Sequence, residues 1–486
     1  MMLTTAQTDR ACGVLLATAA GDALGAGYEF GPPLSANTEV AMKGGGTFGW
    51  APGEWTDDTS MAIAIAEVAA TGADLGSDDA QDRIVARWCE WVLNANDVGM
   101  QTRSVLGSVR HDSDASTAAS ARHASEALHK RTGHTAGNGS LMRTAPVALA
   151  FLDDETGLVA AAAAISALTH FDPEAGEACV LWCLAIRHAV LTGQLDLRDG
   201  LRVLAEDRRL VWAARLDVAE AGTPAQFARN GWVVQALQAA WCAITTTAIP
   251  VDDPSRRTFR VDHLRLALEA AVRGGRDTDT VAAITGGLLG AAYGASALPA
   301  SWRLLLHGWP GLHAQDLVEL ATRIVTGGCP DRFDYSYRGY GGLDALAQHP
   351  YDDHLWLGGI GALRTLPAGV DAVVSLCRVG ADDCPAAAEH VEVRLIDRDP
   401  DEQNVNLDFV LDDTVAVIQA LRAEGRTVLV HCVQAHSRTP TIGALYGMRL
   451  RAVTADVALA DVLAALPQAR PNRRFQRALQ AAEPAR

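Results

Sequence analysis

At 486 residues the chain is too long for one ordinary hydrophobic core, so two domains are the starting expectation. With 49% apolar and 20% charged residues it is no disordered chain, and a net charge of −17 disfavours sequence-independent binding to nucleic-acid backbone or to anionic membrane. Nine dispersed cysteines without a CxxC pair or a Cys/His zinc spacing point to a reduced, cytoplasmic protein, and no uninterrupted apolar run approaches the ~20 residues of a membrane span.

Taken in chain order, the apolar stretch of residues 11–20 runs directly into GDALG and reads as a buried first helix. Alanine-rich amphipathic blocks follow, among them TSMAIAIAEVAA, ETGLVAAAAAISALTH and DTVAAITGGLLGAAYG, separated by Gly, Asn, Asp and Pro clusters. Strand patterns are scarce, so residues 1–328 are expected to form an all-α domain. The Gly- and Tyr-rich segment 329–349 lacks periodicity and reads as a linker. Beyond it the strand candidates HLWLGG, AVVSLC, VEVRLID and TVLVHC alternate with helical patterns such as LDFVLDDTVAVIQALRAEG, which predicts a small α/β domain over residues 350–486.

Two acidic clusters share one local grammar. Thr56-Asp57-Asp58 and Asp277-Thr278-Asp279-Thr280 each open an apolar helix. Taken singly, helix capping and the helix dipole account for either cluster. Brought together, their four carboxylates would repel unless a cation neutralised them, and all-oxygen ligands favour a hard ion such as Mg²⁺ or Mn²⁺.

The ordered blocks GDALG, YEF, WTDDTSM, GNGSLMRTAPV, THFDPEAGEAC and GGRDTDTVAAITGGLLGAAYG resemble the ADP-ribosylglycohydrolase family over about residues 8–328. The resemblance implies an all-α fold, two divalent metal ions and release of ADP-ribose from a modified protein or small molecule. It implies Thr56, Asp57, Asp58, Asp277, Asp279 and Thr280 as metal ligands and Glu29 in a second-sphere or acid/base role. It also implies Gly137, Asn138, Gly139 and Ser140 as the loop that cradles ADP-ribose, with His170 near the nucleotide. Bond cleavage would pass through an oxocarbenium-like state at C1″. One departure stands out: Arg276 precedes the first acid where many members read glycine.

In the last third, the strand TVLVH leads into His431-Cys432, five residues, then Arg438-Thr439 and a helix start. Strand, loop and helix N-terminus in that order make a nest of backbone N–H groups for an anion, a setting that favours a thiolate at Cys432 and a bidentate phosphate grip by Arg438. This segment resembles the dual-specificity branch of the protein tyrosine phosphatases over about residues 350–480. The resemblance implies Cys432 as nucleophile, Arg438 as phosphate binder and Thr439 as a hydroxyl assisting thiolate departure. It also implies a general-acid aspartate among Asp397, Asp399 and Asp401. Ala435 stands where that loop usually has glycine, so either of two readings follows: a second, cysteine-dependent phosphatase activity on a phosphorylated substrate, or a non-catalytic phosphate-binding module regulating the glycohydrolase.

Overall fold

The computed structural model describes residues 2–109, 116–329, 337, 339–379, 388–393, 395–398 and 403–484. They fall into two compact units: Met1–Ala248, His263–Leu298 and Leu305–Asp331 in the first, Ile249–Asp262, Pro299–Leu304 and Arg332–Arg486 in the second.

Among the described residues up to Val325 the α-helices are α1 (Thr5–Ala26), α2 (Asp57–Ala69), α3 (Asp78–Val92), α4 (Met100–Leu106), α5 (Thr117–Thr132), α6 (Ala145–Ala150), α7 (Glu155–Ala167), α8 (Pro173–Thr192), α9 (Glu206–Glu220), α10 (Val233–Thr246), α11 (Asp262–Arg273), α12 (Thr278–Tyr293), α13 (Ala300–Leu305) and α14 (Ala314–Val325). Strand structure in this stretch is limited to a two-residue ribbon, β1 (His307–Gly308) against β2 (Leu312–His313). The all-α expectation holds. Helix starts carry their own signals: Thr4 and Gln7 form a capping box on α1, Ser77 caps α3, and Asp172 caps α8 with Pro173 at its first position. Helix α8 is long and apolar enough in composition to cross a membrane, yet most of it is buried in the core.

The centre of the first unit is the crossing of α1 and α12. A Cβ on Gly21 would lie 2.1 Å from the Ala282 carbonyl oxygen, one on Gly25 2.4 Å from the Asp279 Cα, and one on Gly290 2.0 Å from the Gly13 oxygen. The two backbones therefore touch, which only glycine at these positions permits.

In the second unit a five-stranded sheet runs in the order β3 (Leu346–His349), β4 (Asp352–Gly359), β7 (Thr427–Cys432), β5 (Val370–Ser375), β6 (Glu389–Glu392). Only the β3–β4 pair is antiparallel. Central β7 is a continuous β-branched and apolar run, as a parallel strand covered on both faces requires. Helices α15 (Leu407–Ala423), α16 (Arg438–Arg451), α17 (Ala455–Ala465) and α18 (Arg473–Ala481) complete the unit. Asp352 of β4 ties sheet to helices, accepting hydrogen bonds from Arg422 at 2.9 Å and from the Tyr446 hydroxyl at 2.7 Å. The predicted small α/β fold is present, and edge strand β3 comes from the end of the segment read as linker.

Candidate active sites

Because α1 and α12 touch, Asp22 of α1 lies beside Asp279 in the first turn of α12. Asp22 is fully buried. Its Oδ1 accepts from the Thr56 backbone N–H at 2.9 Å and from the Thr56 hydroxyl at 2.8 Å, and its Oδ2 accepts from Thr59 N–H at 2.9 Å. Asp22 thus closes the N-terminus of α2 from a neighbouring helix. Thr56 itself makes no side-chain cap bond on α2, nor does Asp277 on α12. Capping, the alternative for both acidic clusters, is not what occupies these side chains.

One oxygen each of Asp22, Asp58 and Asp279 lie within 4.8 Å of one another, and the same holds for Glu29, Asp277 and Asp279. The two triples share Asp279. Burial raises the carboxyl of Asp22 to about 6 against the hydrogen bonds from Thr59 and Thr56. Burial, then the charges of Asp277, Asp97, Asp57 and Asp22, push Glu29 up to about 9. Burial first and mutual repulsion second hold Asp57, Asp58 and Asp279 well above the usual carboxylate range. Asp58 Oδ1 and Glu29 Oε2 are buried without a hydrogen-bond partner among the described residues. A buried acidic cluster with unsatisfied oxygens fits a divalent cation, and its all-oxygen donor set fits a hard one.

Glu29 reaches this cluster because its loop is pinned to the one before α12. Phe30 N–H donates to the Arg276 oxygen at 2.6 Å and Arg276 N–H to the Gly31 oxygen at 2.8 Å. Arg276 has φ +69° and Phe30 φ +62°. The left-handed backbone at 276 explains why glycine suits that position. The hydroxyl of Thr280, the other one expected at the site, lies near Asp58 and Asp277 and opposes the rise of both carboxyls.

The Gly137–Ser140 loop is fastened to the same cluster. Asn138 Nδ2 donates to Asp277 Oδ2 at 2.8 Å and lies 2.9 Å from the Asn230 oxygen, while Asn138 N–H donates to the Gly231 oxygen at 3.1 Å. Ser140 points inward, buried, with its Oγ accepting from Ser166 at 2.9 Å. His170 lies beneath the loop: a Cβ on Gly139 would come 3.0 Å from its Cε1. Thr169 Oγ1 accepts from Arg143 Nη2 at 2.6 Å and lies 2.8 Å from His170 Nδ1. Burial first, then the Arg143 charge, keep this imidazole neutral, far below its ordinary range. Arg143 is itself fully buried, its guanidinium 3.9 Å above the Trp88 ring. Sequence reasoning missed Asp22, Arg143 and Asn230 as site residues; the signals for Asp22 were an acid inside an apolar helix and its place in the GDALG block.

In the second unit β7 delivers Cys432 and α16 begins at Arg438. Cys432 is buried. Arg438 Nη1 donates to the backbone oxygens of Leu376 at 2.7 Å and Leu395 at 3.1 Å. Thr439 donates its hydroxyl to the Gly358 oxygen at 3.2 Å. Ala435 is fully buried at φ +54°, the strained conformation that the missing glycine would relieve. The later PQARPN block braces the loop, with Arg470 N–H on the His436 oxygen at 2.6 Å and Asn472 N–H on Ser437 Oγ at 3.2 Å. Of the acid candidates, Asp397 Oδ2 lies 3.9 Å from Arg438 Nε and its Oδ1 accepts from Asn472 Nδ2 at 3.0 Å. Asp399 and Asp401 lie outside the described residues.

Fold and sites together define a helical hydrolase carrying a phosphatase-like α/β domain. Residues 3–332 match the ADP-ribosylglycohydrolase family model, and the chain belongs to that family. Residues 369–484 match the dual specificity phosphatase catalytic domain. The ADP-ribosylarginine hydrolase Tri1 of Pseudomonas putida is 32% identical over 308 residues, 60% of this chain and 73% of that one. Dual specificity protein phosphatase 1 of Arabidopsis thaliana is 38% identical over 80 residues, 16% of this chain and 40% of that one. A solved ADP-ribosylglycohydrolase-related protein complex has a chain 27% identical, with a TM-score of 0.50, covering 67% of this chain and all of that one.

Proposed function

We propose that the first unit hydrolyses the bond between ADP-ribose and an arginine of a modified protein, using two divalent ions, Mg²⁺ or Mn²⁺. The observation that carries this is the pair of carboxylate triples sharing Asp279, with Asp58 and Glu29 oxygens left unsatisfied beside the Asn138 loop. Asp22, Glu29, Asp58, Asp277 and Asp279 would hold the ions, with Thr56, Asp57 and Thr280 around them. Ions held there supply Lewis acidity toward ribose hydroxyls and water. The chain's own residues do the rest. Asn138 fixes Asp277 and the loop together, and in this reading the Gly137–Ser140 backbone would approach the diphosphate. In this reading Glu29, besides lining the second triple, would move a proton at the leaving group or at water. The arginine acceptor is taken from the relatives named as ADP-ribosylarginine hydrolases.

The second unit, in this reading, cleaves a phosphate monoester through Cys432, with Arg438 gripping phosphate. Asp397 and Asp401 are the acids open to it. A binding-only role is the second reading, favoured by the strain at Ala435 and by the backbone carbonyls that already engage Arg438. A cytoplasmic location belongs to the same reading, in keeping with the dispersed cysteines of the sequence.

The test uses the full-length protein on an ADP-ribosylated arginine peptide. Free ADP-ribose should appear with Mg²⁺ or Mn²⁺, stop with a chelator and be lost in Asp279→Ala. Full release without metal sinks the metal reading; release from other linkages only sinks the arginine assignment.

A further inference from the structure

Three polar side chains form a row across three adjacent strands of the second unit. His431 of β7 is paired in register with Ser375 of β5, and His390 belongs to β6 on the far side of β5. Ser375 Oγ lies 2.6 Å from His431 Nε2 and 2.8 Å from His390 Nε2. His431 Nδ1 lies 3.4 Å from the backbone oxygen of Cys432. Ser375 and His431 are fully buried, and His390 is half-buried.

These contacts admit one arrangement of protons. A backbone oxygen only accepts, so His431 Nδ1 carries a hydrogen. Burial drops His431 to about 3 and His390 to about 4, so both rings are neutral at neutral pH and each has a single N–H. His431 Nε2 is therefore an acceptor. A serine hydroxyl has one hydrogen, which must go to His431. Ser375 Oγ then accepts from His390 Nε2–H. The opposite direction would set a bare Nδ1 lone pair against the Cys432 oxygen.

We infer that Ser375 and His390 are positioning residues for the Cys432 loop, locking His431 in the Nδ1–H tautomer and, through it, the first peptide of the loop. The peptide unit is planar, so holding the Cys432 oxygen also fixes the direction of the Val433 N–H that opens the anion nest. The inference rests on the phosphate-site reading of this loop for its consequence, but not for the tautomer itself.

Full-length protein labelled with ¹⁵N-histidine tests both the tautomer and its consequence, His431 being assigned by the signal lost in His431→Asn. The ring couplings should show His431 protonated on Nδ1 and His390 on Nε2. Ser375→Ala and His390→Leu should mix the His431 tautomers and weaken vanadate protection of Cys432 against iodoacetamide roughly tenfold, the scale of one buried hydrogen bond. Ser375→Thr and His390→Gln, which keep a hydroxyl and an N–H donor, should restore both signals. A His431 protonated on Nε2 overturns the inference, as does unchanged vanadate protection in both disruptive variants. If either disruptive variant fails to fold, the wild-type tautomers and the two conservative variants still decide. If the wild type binds no vanadate, the phosphate-site reading falls and the tautomers alone judge the relay.

Discussion

Replacing Asp22 by asparagine gives a stability difference that should depend on pH in a way no simple loss of packing could imitate. The folded state holds the Asp22 proton more tightly than the unfolded chain does, with a carboxyl raised from 3.8 to about 6 by burial. In chelator, ionising Asp22 therefore destabilises the fold, negligibly below pH 3.8 and fully above about 6. The full effect is about 3 kcal/mol, of which about 1.5 develops between pH 5 and pH 8. Asparagine removes this penalty. It keeps an oxygen for Thr56 but turns an NH₂ toward the Thr59 N–H, which now bonds Oδ2 at 2.9 Å. Leaving that donor unsatisfied costs about 1–3 kcal/mol at any pH. Because about half of the penalty is already present in the wild type at pH 5, Asp22→Asn should lie within about 1.5 kcal/mol of wild type there and should gain about 1.5 kcal/mol relative to it by pH 8, where it becomes the more stable of the two. Urea unfolding followed by tryptophan fluorescence measures this, because Trp55, Trp88, Trp182 and Trp212 are fully buried in the first unit. Saturating Mn²⁺ should reverse the order at pH 8, since the variant lacks a ligand. Parallel wild-type and variant stabilities across pH would refute the argument that Asp22 is a strained buried acid.

Ala435→Gly should leave the second unit at least as stable and raise turnover of an aryl phosphate, because φ +54° costs alanine about 1–2 kcal/mol that glycine does not pay; lower turnover in a folded variant contradicts this. Gly139→Ala should weaken ADP-ribose binding in calorimetry roughly tenfold, since its Cβ would press on His170 at 3.0 Å and tilt the loop. Cys432→Ser should retain vanadate binding and lose hydrolysis, and Arg438→Ala should lose both, read by competition binding and phosphate release. Arg143→Met should lower the melting temperature more in chelator than in Mn²⁺, because the lost guanidinium is a buried cation that interacts with Asp57.

The class of each unit was legible because period and punctuation agree along the chain: apolar helical blocks with caps first, β-branched runs alternating with helices later. Much of the acidic site was legible too, since Asp58, Asp277 and Asp279 sit in two visibly similar helix openings. Asp22 was not. In sequence it is one acid in an apolar helix, and its partners Thr56 and Thr59 lie 34 and 37 residues away. What brings them together is the α1–α12 contact, and the glycines that allow it read locally as weak helix residues. Arg143 was hidden for a similar reason: a charged residue is expected at the surface, and the Trp88 face, the Thr169 hydroxyl, the Met61 sulfur and the Asp57 charge make its burial tolerable. The tautomer row of the second unit depends on strand register, which composition does not encode.

The glycine contact between α1 and α12 also sets how rigid the spacing of the carboxylates is. Where side chains separate two helices, a binding site can widen by rotamer changes. Here Gly21 meets the Ala282 carbonyl and Gly25 the Asp279 main chain with no side chain between them, so the helices that carry Asp22 and Asp279 cannot slide closer, and a larger ion would have to be met by the carboxylates alone or push the two main chains apart. Discrimination by ionic radius would then be a property of the helix crossing, and the residues governing it would be glycines that never touch the ion.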